Sequence, residues 1–191
     1  LSLHDALPIL ADAQPGEQVA DFCAGAGGKT LALGASMLNK GRIVAMDVLG
    51  GRLERAKERF RRAGLHNIET RSLSSERDKY VKRAAGKFDL VLVDAPCTGT
   101  GTWRRNPDAK WKLSPQDLEE LTALQRRILD SACRLVKPGG RLGAILPATA
   151  HYDHDVTKVF GGVWRDLPVA SFAEAGTNVP TGYLITRARA A

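Results

Sequence analysis

The chain has 191 residues, of which 28 are lysine or arginine and 21 are acidic, giving a formal net charge of +7. No apolar run approaches the roughly 18 residues of a membrane span, and three cysteines without a pairing pattern argue against a disulfide-stabilised scaffold. We therefore expect a cytoplasmic protein that does not span a membrane. The positive charge favours a polyanionic partner, most simply nucleic acid, although a generally basic surface would give the same excess.

The first nine residues, LSLHDALPI, match the translation of a common sequencing adapter. We interpret residues 1–9 as foreign to the protein and leave them out of the fold prediction. Residues 10–191 show no internal repeat, low-complexity tract or linker, and their number suits a single hydrophobic core. The sequence therefore predicts one domain, which we expect to be a monomer.

A strand, a glycine-rich turn and a helix open this domain. The strand is predicted over residues 18–22, the turn is CAGAGGKT at residues 23–30, and the helix extends to residue 38. This arrangement presents backbone N–H groups and a helix N-terminus to a ligand. Lys29 opposes the helix dipole in the first helical turn, which favours a role in a site or beside a carboxylate. The glycine spacing excludes a Walker A phosphate loop.

A second strand, over residues 42–46, ends at Asp47, twenty residues beyond Gly27. Folds that bind nucleosides place a carboxylate at about this distance, where it accepts hydrogen bonds from ribose hydroxyls. A glycine-rich turn alone is weak evidence, but together with this acid it favours a nucleoside ligand. The basic amphipathic helix predicted next, over residues 49–63, is interpreted as a mainly solvated face.

The fourth predicted strand leads into the most informative segment, after a third strand at residues 67–72 and a short helix at residues 76–85. Residues 88–93 form an apolar run typical of a strand buried on both faces of a parallel sheet. Asp94 and Cys97 follow around a proline turn, at the edge of the sheet where ligands bind. Alone, the acid could cap a turn and the thiol could be a small buried hydrophobe. Together they indicate a site.

The remaining elements complete an α/β pattern. Ser114 and Pro115 predict the start of a helix that runs to about residue 136, where residues 138–140 (Pro-Gly-Gly) end it. A fifth strand is predicted at residues 141–146, and a final antiparallel pair at residues 164–172 and 183–187. The alternation predicts a doubly wound α/β fold with a mostly parallel sheet.

Residues 102–112 combine cations with indoles, since Arg104, Arg105 and Lys110 are interleaved with Trp103 and Trp111. Cations track phosphates and indoles stack on unpaired bases, so this segment is predicted to line an RNA path. The alternative is that both tryptophans anchor the loop to the core.

Four segments, DFCAGAGGKT, AMD, FDLVLVDAPCTGTGTWRRNPD and LVKPGGRL, resemble the Sun/RsmB-type family of RNA 5-methylcytosine methyltransferases over residues 10–142. The resemblance implies a Rossmann-like methyltransferase fold, S-adenosylmethionine as methyl donor, and cytosine in RNA, most simply ribosomal RNA, as acceptor. It assigns catalysis to Asp94 and Cys97. The implied cofactor-binding residues are Cys23, Ala24, Gly25, Ala26, Gly27, Gly28, Lys29, Asp47 and Asp94, and no metal is implied.

The chemistry of this family explains why a thiol and an acid are needed. Cytosine C5 becomes nucleophilic only after a thiolate adds at C6 and the ring N3 is protonated or hydrogen-bonded. Asp94 suits the role at N3. In the family, the cysteine equivalent to Cys97 assists release, while a second cysteine, in a Thr-Cys pair after the fifth strand, is the nucleophile.

The sequence departs from the family at two places. Leu146-Pro147 stands where the Thr-Cys pair is expected, and no cysteine follows Cys133. An inactive copy, a shifted reading frame after Leu142, and a nucleophilic Cys97 as in DNA cytosine-5 enzymes are all open, and the adapter-like start favours the first two. The family's acid after the third strand also lacks a clear counterpart, because residues 73–76 read Leu-Ser-Ser-Glu and Asp78 lies too far along.

Two functions of other classes stay open beside the methyltransferase. A catalytically inactive, methyltransferase-like RNA-binding module would retain the cofactor pocket, and the missing cysteine favours it. A nicotinamide-dependent oxidoreductase would rest only on the glycine turn and Asp47, and the segment from Asp94 to Cys97 argues against it.

Overall fold

The computed structural model describes residues 11–97, 114–147, 163–166 and 181–187. Strands and helices alternate through most of this range, as the sequence predicts. The elements in chain order are β1 (Gln18–Phe22), α1 (Gly28–Ser36), β2 (Arg42–Asp47), α2 (Gly50–Arg62), β3 (Ile68–Ser72), α3 (Lys79–Arg83), β4 (Phe88–Val93), α4 (Pro115–Leu135), β5 (Val136–Pro147), β6 (Val163–Asp166) and β7 (Thr181–Arg187).

The strands form one seven-stranded sheet in the order β3-β2-β1-β4-β5-β7-β6. Strands β1 to β5 are parallel, whereas β7 pairs antiparallel with both β5 and β6. This confirms the predicted doubly wound, mostly parallel sheet. The final strands also pair antiparallel as predicted, although residues 167–172 of the predicted pair lie outside the described residues. The strand order reverses between β1 and β4, which is the point where a crevice opens at the carboxyl ends of the strands.

Helices cover both faces of the sheet, and alternate strand residues point to one face or the other. On one face, Phe22 and Val91 pack in a cluster that includes Ile128 and Leu135 of α4. On the other, Val19, Ile43 and Leu92 pack with Leu33 of α1. The central strands are therefore apolar on both sides, which is what a parallel sheet between two helical layers requires. No helix in the described segments is long and apolar enough to cross a membrane.

Helix α4 begins as predicted, because Ser114 and Asp117 form a reciprocal capping box with Pro115 in the first turn. It ends at Leu135, and β5 begins at once with Val136, five residues earlier than predicted. The pairing with β4 is irregular there: Phe88 pairs with Val136, while Leu90 already pairs with Arg141. The Pro-Gly-Gly segment is thus a bulge within the strand rather than a connection before it.

Helix α3 is shorter than the predicted residues 76–85. The carboxylate of Asp78 accepts hydrogen bonds from the backbone N–H of Tyr80 and from the N–H and hydroxyl of Ser74. These bonds make Asp78 the N-cap and lower its pKa to about 2. Residues 74–77 therefore precede the helix and approach the crevice.

Candidate active site

A pocket of about 720 Å³ opens at the carboxyl ends of β1, β2 and β4. It lies at the point where the strand order reverses, as the position of the glycine turn and of Asp94 predicts. The predicted residues that line it are Cys23, Ala24, Gly25, Ala26, Gly28, Lys29, Asp47, Asp94 and Cys97. Gly27 is beside it as the N-cap of α1.

The glycine turn is held against both β2 and α2. The backbone N–H groups of Cys23 and Ala24 both donate to the carbonyl oxygen of Met46, at 3.0 and 2.8 Å. Gly27 has a φ of 79°, and a Cβ built on it would lie 2.5 Å from a ring carbon of Phe60. Only glycine meets both conditions, the left-handed backbone and the close approach of α2. The turn is therefore fixed beside Asp47 at the end of β2.

Asp47 presents its carboxylate in one orientation. The residue is 8% exposed, and its two oxygens accept hydrogen bonds from the N–H groups of Gly25 and Leu49, each at 2.8 Å. Each carboxylate oxygen has a second lone pair that can accept from a ligand hydroxyl. This arrangement suits the ribose contact that the spacing from Gly27 predicts.

Lys29 and Asp94 form an ion pair across the pocket. The Nζ atom of Lys29 lies 2.5 Å from an Oδ atom of Asp94, and the two side chains are 9% and 37% exposed. The ammonium at the start of α1 thus stands beside a carboxylate, as its unfavourable place on the helix dipole suggested. Because the lysine is nearly buried, it restricts where the Asp94 carboxylate can turn.

Asp21 also lines the pocket, and the sequence analysis did not identify it. The side chain is fully buried in β1, and one of its oxygens accepts a hydrogen bond of 2.6 Å from the Thr30 hydroxyl. The other oxygen has no hydrogen-bond partner among the described residues. Burial raises the pKa of Asp21 to about 6, against the lowering effects of Thr30 and Lys29. An acid within an otherwise apolar strand was the signal that could have revealed it.

Negative charge in the pocket is concentrated at the ends of β1, β2 and β4. Asp47 and Asp94 both act on the titration of Asp21, so the three carboxyl groups lie within electrostatic range of one another. Lys29 acts on the same group with the opposite sign. Three carboxyl groups therefore lie beside one ammonium at the ends of β1, β2 and β4, whereas Arg52 and Arg59 line the pocket from α2, so the negative potential is confined to the strand ends.

The three cysteines of the sequence differ sharply in accessibility. Cys97 is exposed at the mouth of the pocket, and Cys23 and Cys133 are partly buried. Burial, with a contribution from nearby aspartates, raises the pKa of Cys23 and of Cys133 to about 12. These two thiols stay protonated at neutral pH, so Cys97 is the thiol placed to react.

A residue of α4 holds the backbone next to Cys97. The side-chain amide of Gln125 donates a hydrogen bond of 2.7 Å to the carbonyl oxygen of Pro96. This contact joins residues far apart in sequence, and no local pattern predicts it. It ties the turn that carries Cys97 to the helix that covers β4.

Residues 73–76, where the sequence shows no clear counterpart of the family's acid, contribute both an apolar wall and a carboxylate. Leu73 is buried and lines the pocket together with Val48 and Leu49, which are half exposed. Such a surface suits one face of a planar ring. Glu76 also lines the pocket and pairs with Arg127 at 3.0 Å, whereas Asp78 caps α3.

The predicted RNA-contact residues Trp103, Arg104, Arg105 and Lys110 lie outside the described residues.

The sheet order, the glycine turn after β1 and the acid at the end of β2 define a Rossmann-like methyltransferase. The family model for the 16S rRNA methyltransferase RsmB/F matches residues 8–152. The chain belongs to this family, whose members are S-adenosylmethionine-dependent, and the nicotinamide alternative is thereby set aside.

Named relatives agree with this family. The chain is 40% identical over 131 residues to ribosomal RNA small subunit methyltransferase B of Pectobacterium atrosepticum, a match that covers 69% of this chain and 30% of that protein. It is 34% identical over 179 residues to the protein of the same name from Salmonella paratyphi B, covering 88% of this chain and 40% of the relative. The chain therefore spans less than half the length of these relatives.

Solved structures show the same fold. The crystal structure of PH0851 superposes with a TM-score of 0.77 at 29% identity, over 95% of this chain and 45% of that one. NSun6 from Pyrococcus horikoshii, solved with SFG, superposes with a TM-score of 0.74 at 20% identity, over 99% of this chain and 52% of that one. At that identity, the second comparison supports the fold alone.

Proposed function

We propose that this chain is the catalytic domain of an S-adenosylmethionine-dependent methyltransferase that modifies C5 of cytosine in ribosomal RNA. One observation carries the proposal: Asp94 and Cys97 open onto the same pocket as the glycine turn and Asp47. A methyl donor held at the turn and a base held at Asp94 would therefore meet in one space. Membership of the RsmB/F family supports the choice of substrate.

The residues around the turn fit the donor group by group. Asp47 is placed to accept from ribose hydroxyls, and Leu49 and Leu73 supply an apolar face for adenine. The negative potential of Asp21, Asp47 and Asp94 favours the positive charge of the sulfonium and of the amino group. The donor supplies an electrophilic methyl group, and the chain's own residues must activate the base.

Activation of the base falls to Asp94 and Cys97. A thiolate must add to C6 while N3 takes up a proton from solvent, and the Asp94 carboxylate accepts a hydrogen bond from the resulting N3–H, so that electron density is placed on C5. Cys97 has the position of the family's release thiol and would have to serve for attack as well, which makes the reaction slow. C5 would then bond to the methyl carbon of the donor as the methyl–sulfur bond breaks, and the sulfonium would leave as a neutral thioether. Loss of the C5 proton to water would let the C6–S bond break and release the thiolate. Lys29 holds the Asp94 carboxylate in place throughout this sequence.

A methyl-transfer assay tests the proposal. The chain is incubated with S-adenosylmethionine carrying a labelled methyl group and an unmodified small-subunit rRNA transcript, and the RNA is then digested and analysed by mass spectrometry. We expect slow formation of 5-methylcytidine, lost in Asp94→Ala. Labelled nucleosides of any other kind would refute the reaction proposed here.

A second candidate is an RNA-binding module that retains the cofactor pocket without efficient transfer. The absence of any cysteine after Cys133, with Pro147 at the end of β5, favours it. Binding of both S-adenosylmethionine and RNA with no methylated product would establish this second function. A shifted reading frame is a weaker explanation, because β7 pairs with β5 along seven residues and the Salmonella match is too long to end before Leu142.

A further inference from the structure

A basic groove of about 390 Å³ runs between α3 and α4, outside the pocket described above. Its lining includes four cations, Arg77, Lys82, Arg127 and Arg134, against one acid, Asp130. We name these five residues and the space between them the α3–α4 groove. The segment from Arg77 to Lys87 contributes to this charge, since it contains five cations and one acid.

The groove begins where the wall of the active-site pocket ends. Glu76 lines that pocket, and its carboxylate pairs with Arg127 at 3.0 Å and with Arg77 at 3.9 Å. Both arginines line the groove on the other side of this carboxylate. An extended polymer that leaves the pocket past Glu76 would therefore enter the groove directly.

The cations farther along the groove are available to a ligand. Lys82 and Arg134 are exposed, and neither has an acidic partner within ion-pair distance in the described part of the chain. By contrast, exposed cations of α2 such as Lys57 and Arg61 pair with glutamates three residues away. The groove is also held together, because the N–H of Gly86 donates to the carbonyl oxygen of Arg134 at 2.9 Å.

We propose that the α3–α4 groove binds the phosphate backbone of the RNA next to the target cytosine. The inference rests on the proposed function, which places the cytosine in the adjoining pocket. Arg77 and Arg127 receive the phosphates nearest the base, and Lys82 and Arg134 receive those farther along. The cations form a row that leads out of the pocket proposed to hold the cytosine. Such a row matches an RNA strand, which carries one negative charge per nucleotide, better than it matches a compact anion.

The test measures how RNA binding depends on salt. The probe is a fluorescein-labelled, single-stranded RNA of 20 nucleotides with one central cytosine, titrated by anisotropy at several KCl concentrations. Lys82→Ala/Arg134→Ala is compared with a matched control, Arg55→Ala/Arg62→Ala, which removes two exposed cations from α2. Because each lost phosphate contact on a single strand lowers the slope of log K against log salt by about 0.7, we expect a reduction of about 1.4. Affinity should fall about tenfold near 0.1 M salt. The control should match the wild type.

Several results would refute the proposal that the α3–α4 groove binds RNA. An unchanged slope in Lys82→Ala/Arg134→Ala, while the wild type binds the probe, would refute it and leave the proposed function standing. Equal losses in the control variant would show a general charge effect and would also refute it. Displacement of the RNA by polyglutamate at equal affinity would point to an acidic protein instead. If the wild type binds S-adenosylmethionine but no RNA, both the proposed function and the proposed role of the groove are refuted. Calorimetry with S-adenosylmethionine checks that each variant keeps its fold.

Discussion

The Nζ atom of Lys29 lies 2.5 Å from a carboxylate oxygen of Asp94, joining the first turn of α1 to the end of β4. The two residues are 65 positions apart in the chain. They meet because β1 and β4 are neighbours in the sheet. The ion pair therefore couples the turn proposed to hold the methyl donor to the acid proposed to contact the base.

Replacing Lys29 by methionine should slow methyl transfer about a hundredfold, since Asp94 would lose the group that orients it at N3. Donor binding should change much less, because Asp47 and the backbone of the turn remain. Single-turnover kinetics with saturating RNA separates the two effects. Lys40→Met, at an exposed position after α1, is the matched control and should behave as wild type. Equal rates for both variants would show that the ion pair is dispensable.

Asp47→Ala should weaken S-adenosylmethionine binding by about 1–3 kcal/mol, the usual cost of leaving polar groups unpaired. The same change leaves the N–H groups of Gly25 and Leu49 without their acceptor, so the melting temperature should also fall. Asp47→Asn keeps one acceptor oxygen, so its donor affinity and melting temperature should lie between those of the wild type and those of Asp47→Ala. Isothermal titration calorimetry gives the affinities. A donor affinity unchanged in Asp47→Ala would rule out the ribose contact.

Asp21 should make the protein less stable as the pH rises from about 4 to about 7. Burial raises its pKa from 3.8 to about 6 in the folded state, so the folded chain holds this proton more tightly than the unfolded chain does. The resulting stabilisation is complete below about pH 3.8 and is lost as the pH passes through about 6, a change of about 3 kcal/mol. The side chain at position 21 cannot titrate in Asp21→Asn, so the free energy of unfolding of this variant should lack the change between about pH 4 and about pH 7. Urea unfolding at several pH values measures it, and parallel curves for the two proteins would contradict it.

Pro147→Cys should raise the rate of methyl transfer, because it supplies a second thiol at the end of β5. Strands β4 and β5 are parallel with Val93 opposite Ala144, so position 147 lies at the same edge of the sheet as Asp94 and Cys97. RNA containing 5-azacytidine traps an attacking cysteine covalently. We expect no stable adduct with the unaltered chain and an adduct with Pro147→Cys. A stable adduct of the unaltered chain, abolished by Cys97→Ala, would instead make Cys97 the nucleophile.

Local patterns predicted the parts of the site that depend on order along the chain. The apolar run of β4 followed by Asp94 and Cys97, and the distance from Gly27 to Asp47, predicted residues that the structure brings together in one pocket. The ribose contact of Asp47 stays a prediction. Asp21 was missed because a buried carboxyl contradicts the rule that strand interiors are apolar. The contact of Gln125 with Pro96 was missed because it depends on how α4 packs across the sheet. The early start of β5 was missed because a Pro-Gly-Gly bulge looks the same in sequence as a helix stop.

The order of strands at the far edge also has a consequence for biosynthesis. Strand β6 precedes β7 in the chain, yet in the sheet its neighbour is β7, which lies between it and β5. While the ribosome is still making the chain, β5 therefore exposes an unpaired edge and β6 has nothing to join. The edge of β5 and the strand β6 can both pair only when residues 181–187 have emerged from the ribosome. A nascent chain stalled before Thr181 should thus depend on chaperones in a way that the released protein does not.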